Sequence, residues 1–212
     1  GSGDILLNST IDGTTAASED LTLNAGAGNI ELLAAAGQNV ALGQFTIQTA
    51  TNVNLRGVNA TGLKQDSGTG LTTLAGQVTT TGAAGIDLKS KGLRIEKLVD
   101  TRNGGAVALK HTGNVIIFAD GDIQSDGTVS ISAQSISTAG DIRTTDDNIT
   151  LTGATTLTAS VNFNTGAGSG DILLNSAIDG TTAASEDLTL NAGTGKFALL
   201  AAAGQNVALG QF

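Results

Sequence analysis

The chain of 212 residues has no cysteine, proline, methionine, tryptophan or tyrosine, and its only aromatic side chains are five phenylalanines. Each absence closes off a class of protein. Without Cys there is no disulfide framework and no thiolate metal centre. With Phe so scarce and no Trp or Tyr, there are no aromatic cages for cations and no stacking platforms for bases. Positive charge is scarce too: ten Lys and Arg stand against nineteen Asp and Glu, a formal charge of −9. Such a surface repels phosphate backbones, so nucleic acid is not an expected partner. No apolar run approaches the roughly 18 residues of a membrane helix, so no membrane span is expected. The chain opens Gly1-Ser2-Gly3 and holds no Met, which reads as a segment of a longer protein, in which no leader is expected to show.

What is present is small and aliphatic. Hydrophobic residues make up 40% of the chain, with 30 Gly and 30 Thr. That much apolar content argues against disorder, and it leaves a core to be built from Val, Ile, Leu and Ala.

The sequence repeats itself. Residues 168–212 match residues 1–45 at 40 of 45 positions, at an offset of 167. The differences are Thr10/Ala177, Ala27/Thr194, Asn29/Lys196, Ile30/Phe197 and Glu31/Ala198. Residues 1–167 therefore read as one full tandem unit, and residues 168–212 as the start of the next, with no linker between them. Neither copy carries the atypical cap of a terminal repeat, as expected of a piece of a longer array.

A shorter rhythm lies inside the long one. Apolar pairs one residue apart recur as Ile5/Leu7, Leu21/Leu23, Ile30/Leu32, Val40/Leu42, Val53/Leu55 and Ile86/Leu88. They continue as Val107/Leu109, Val115/Ile117, Val129/Ile131, Ile149/Leu151, Val161/Phe163 and Ile172/Leu174. Each is the period-2 signature of a short strand with one face inward. Between them lie turn signals such as Asp12-Gly13, Asn103-Gly104-Gly105 and Asp126-Gly127. No stretch sustains a helical period. The expected fold is all-β, a parallel β-solenoid with coils of about 18–20 residues, so that one unit of eight or nine coils spans about 40 Å at the spacing of paired strands. The absence of Pro agrees, because a strand paired on both edges needs every amide.

Segments such as GDILLNSTIDGT, EDLTLNAGAGNIELLAA, GTVSISAQSISTAGDIRT and NITLTGATTLTA resemble filamentous-haemagglutinin-like bacterial exoproteins, whose β-strand repeats run in long series. The resemblance covers essentially the whole chain. It implies a right-handed parallel β-helix, secreted or displayed on a bacterial cell surface as part of an adhesin, filament or stalk.

Candidate chemistry is thin. The single His111 lies between two strands with no acidic or Cys partner beside it and reads as a turn-exposed residue. Asp146-Asp147, His111 and Arg94-Ile95-Glu96 superficially match elements of β-helical polygalacturonases, but in reversed order and with Glu where Lys is needed. Gly193-Thr194-Gly195-Lys196 runs into Phe197 and fails as a phosphate-binding loop. No enzyme is expected. Asp120, Asp122 and Asp126 are weak Ca²⁺ candidates, carboxylates in a turn without the spacing of a calcium loop. No other cofactor is implied.

The most unusual stretch is 89–110, where Lys89, Lys91, Arg94, Lys97, Arg102 and Lys110 gather six of the ten basic residues. The bland reading is a solvated strand edge. The sharper one is an interaction band that meets acidic surface on a neighbouring copy and fixes lateral register. The expected role is structural: a stiff rod of a giant extracellular or cell-surface tandem-repeat protein whose partner is itself, with a surface glycan or host receptor left open. A carbohydrate-binding or carbohydrate-cleaving β-helix is the alternative. An ice-binding solenoid follows at a distance, since Thr49/Thr51, Thr79/Thr81, Thr150/Thr152 and Thr156/Thr158 are irregularly spaced.

Overall fold

The computed structural model describes residues 3–212; Gly1 and Ser2, the first two residues of the repeat, lie outside them. Among the described residues there is no helix. A single 21-stranded sheet, with every strand pair parallel, winds into a β-solenoid of about nine coils and about 21 residues per coil. The coil is a little longer than its aliphatic rhythm suggests because the corners take up extra chain, as in the loop of residues 12–20 between Ile11 and the strand Leu21–Leu23.

Each coil has three faces, and alternation along every strand sends one side chain into the core and the next to solvent. On the first face Ile5, Ile30, Val53, Thr72, Leu93, Val115, Ile136, Thr155 and Ile178 stack in register. The second face stacks Ile11, Ala36, Val58, Val78, Val99, Ile123, Ile142, Phe163 and Leu190. The third stacks Leu21, Phe45, Leu63, Ile86, Val107, Val129, Ile149, Ile172 and Phe197. Between the end coils these columns are almost wholly buried and form one continuous core. Since each layer meets only the layers above and below, stability accumulates coil by coil.

Corners are closed by two devices. Where the second face ends, the inward position after the aliphatic residue is a hydroxyl: Thr80, Thr101, Ser125, Thr144 and Thr165, all buried. Thr144 Oγ1 donates to Asp147 O at 2.5 Å and Thr165 Oγ1 to Gly170 O at 2.8 Å, while Thr101 donates to Gly105 O. These bonds satisfy corner carbonyls that no strand reaches.

The second device is a side-chain ladder. Asp4 Oδ1 accepts the Asn29 amide at 2.7 Å, Asn29 Oδ1 accepts the Asn52 amide at 3.2 Å, and Asn52 Oδ1 accepts the Leu71 amide at 2.9 Å. The series Asp122, Asp141, Asn162 and the series Asn148, Asp171, Lys196 repeat it, each step bonding an amide one coil further on at 2.7–2.8 Å. Asx side chains thus carry the axial bonding across corners where the backbone turns away.

Some corners need unusual backbone. Gly85 has φ +57 and lies so close to Ala106 that a Cβ would collide with its carbonyl oxygen. Ala17 and Ala184, the same residue of the two copies, both take positive φ, 62° and 56°. Each is held by a carboxylate: Glu19 accepts from the Thr14 hydroxyl at 2.6 Å and from the Thr14 and Thr15 amides, and Glu186 accepts in the same way from Thr181 and Thr182.

Candidate functional site: a charged collar on the middle coils

The six basic residues of the 89–110 stretch do not form one patch. They ring the solenoid. Lys89 and Lys110 are register neighbours on the third face, at the ends of Val78–Ser90 and Val107–His111. Lys91 sits at the next corner, Arg94 points outward from the first face in Gly92–Ile95, Lys97 lies at the following corner, and Arg102 follows the second-face strand Val99–Thr101. One coil of about 21 residues therefore wears its positive charge on every side.

Period-2 alternation also supplies the partners. Residues two apart share a strand face, and Lys89 Nζ lies 3.2 Å from Asp87, Arg94 Nε 3.3 Å from Glu96, and an Arg102 terminal nitrogen 2.9 Å from Asp100. Lys97 reaches across to the next coil, 2.6 Å from Asp120. Arg94 also stacks over the Phe118 ring, its guanidinium carbon 4.8 Å from the centroid. Lys91 and Lys110 have no carboxylate within ion-pair distance among the described residues. Pairs this exposed contribute about 0–1 kcal/mol each. They set the charge pattern more than the stability.

The calcium candidates are dispersed. Asp120 is bound to Lys97, which holds its carboxyl below the ordinary range. Asp122 accepts the Asp141 amide. Asp126 accepts the Thr145 hydroxyl at 2.6 Å and the Gly104 amide at 2.8 Å, and these bonds, the hydroxyl first, lower its pKa. Among the described residues no three Asp, Glu, His or Cys side chains are grouped as a metal requires.

His111 is a correction to the sequence reading. Expected in an exposed turn, it is buried at the corner from the third face to the first, with Nδ1 3.0 Å from Ser90 Oγ and Nε2 without a partner. The strand Val107–His111 runs two residues past its last inward aliphatic, Leu109, and alternation turns His111 inward. Burial pushes its pKa down to about 4, so the ring is neutral. Asp146 and Asp147 lie at the opposite corner, after Ile142–Thr144, where Asp146 Oδ1 accepts the Gly168 amide at 2.5 Å. The structure does not bring these acids and His111 together.

An open groove of about 600 Å³ runs along the first face, lined among others by Leu6, Glu31, Asn54, Arg56, Leu71 and Glu96. No aromatic ring lines it. The corner ladder and the Glu19 and Glu186 anchors are the features that sequence inspection missed; their signal is an Asp or Asn standing directly before a strand at the coil period, as at Asp4, Asn29 and Asn52. Comparison of the chain with protein families, with curated proteins and with solved structures finds no match to any of them.

Proposed function

We propose that the chain is a non-catalytic segment of a stiff rod, part of a giant tandem-repeat protein of the bacterial cell surface or exterior, of the filamentous-haemagglutinin-like kind. The observation that carries the reading is continuity across the junction of the two copies. The strand Ile149–Leu157 of the first unit pairs with both Ile172–Leu174 and Ile178–Asp179 of the second, and the Asn148–Asp171–Lys196 ladder crosses the same boundary. A junction with the same bonding as the interior lets a series of units behave as one elastic body. The sequence segments that resemble exoprotein repeats supply the location and class.

In this reading the mechanical load runs along the axis, through the backbone ladder and the corner side chains together. The collar serves lateral contact: two unpaired lysines on a strongly acidic molecule attract the flanks of a neighbouring rod at close range. Electron microscopy of the native assembly from its source tests the rod. Fibres with an axial period of about 37 Å, or a multiple of it, are expected from the unit's coil count and the spacing of paired strands. Short isolated particles without that period would sink the reading and return attention to the first-face groove, where incubation with polysaccharides would look for retention or cleavage.

A further inference from the structure

The two copies of the repeat are out of phase with the coil. Ile5–Leu7 lies on the first face, stacked under Ile30–Leu32, whereas the identical Ile172–Leu174 lies on the third, stacked on Ile149–Leu151. Leu21 is on the third face with Phe45, and its equivalent Leu188 is on the second with Val161. Counting rungs along the registers, Ile5 opens the first-face column and Ile172 is the eighth rung of the third, so one unit advances seven coils and two faces. One sequence thus folds on different faces with the same corner bonds: Asp12 accepts from Asn39 as Asp179 does from Asn206.

We infer that successive copies of the unit are turned by one face relative to one another. Units in series then form a three-fold screw that closes after three units and 23 coils, about 110 Å. Any outward feature of the unit, the first-face groove included, recurs on all three sides of the rod. Lateral neighbours are accordingly engaged in three directions, which favours bundles over flat ribbons. The inference rests on the tandem reading above.

The chain has no Cys, so introduced ones report cleanly. Thr150→Cys with Leu173→Cys joins register neighbours on the third face and should oxidise readily to a disulfide. Thr156→Cys with Leu173→Cys, the pair that an in-phase unit of eight whole coils would align, should not. The reverse pattern overturns the screw. Native fibres together with the wrong disulfide would spare the rod and sink the screw. The right disulfide without native fibres would do the opposite.

Discussion

Thr72 and Gln65 meet inside the solenoid, Thr72 Oγ1 donating to Gln65 Oε1 at 2.8 Å between the first and third faces. Both are buried between aliphatic neighbours: Gln65 lies between Ile47 and Leu88, Thr72 between Val53 and Leu93. The Gln65 Nε2 has no partner. A half-satisfied buried pair is costly to cut and cheap to replace whole. Thr72→Val alone should destabilise by about 1–3 kcal/mol, because it strands the amide oxygen. Gln65→Leu combined with Thr72→Val should recover that loss or exceed the parent, as read by denaturant unfolding; a double variant weaker than Thr72→Val would refute the account.

His111 makes stability depend on pH in a definite window. Its folded pKa of about 4 lies below the ordinary 6.5 because burial disfavours the charged ring. Between those values the unfolded chain binds the proton and the folded one does not, so stability falls as pH drops from 6.5 to 4 and levels off below. The contribution is on the order of 3 kcal/mol. In His111→Gln the slope across that window should flatten in a set of melts from pH 7 to 4. An unchanged slope would locate the dependence elsewhere.

Glu19 and Glu186 predict a separate acid response. Their pKa values lie below the ordinary carboxylate value, chiefly through the hydroxyls of Thr14 and Thr181. A depressed acid stabilises above its unfolded pKa, and that support is lost as pH falls through the folded one. Below about pH 4, the loops of residues 13–18 and 180–185 should open first, seen as amide exchange there before exchange in the strands. Glu19→Gln should open the first loop at neutral pH and leave the second protected.

The corner ladder distinguishes two positions that the repeat otherwise equates. Asn29 accepts from the Asn52 amide and side chain, at 3.2 and 2.9 Å, while its counterpart is Lys196, which has no acceptor. Asn29→Lys should cost about 0.5–1.5 kcal/mol. Lys196→Asn should change the melting of the 212-residue chain very little, and equal effects from the two would argue against the ladder.

Neutralising the collar should leave the coil intact. With Lys89, Lys91, Arg94, Lys97, Arg102 and Lys110 all changed to Gln, unfolding should shift by no more than a few kcal/mol, since exposed pairs contribute so little. Bundling of rods should weaken and lose its salt dependence. Bundling that persists unchanged would remove the collar from the lateral interface.

The aliphatic pairs gave away the third face and much of the first. Val107/Leu109, Val129/Ile131 and Ile149/Leu151 are inward pairs of real strands. Apart from Val161/Phe163, the second face was illegible for a specific reason. Its strands read Val99-Asp-Thr101, Ile123-Gln-Ser125 and Ile142-Arg-Thr144, with a hydroxyl in the second inward place. Thr and Ser count as polar in a pattern search, yet here they point inward because a corner carbonyl awaits them. His111 was misjudged by the same habit of assigning polar residues to solvent. The basic cluster was visible as composition, but only the winding of the chain shows that its members face in different directions.

That one sequence is at home on different sides of the triangle bears on how such a molecule grows. A gain or loss of one strand with its corner leaves every downstream aliphatic pointing inward, displaced only by a third of a turn. Unequal recombination between gene segments would therefore yield foldable products at lengths that would ruin a sandwich or a closed barrel. The increment that selection has to respect is the single side, and whole turns carry no privilege.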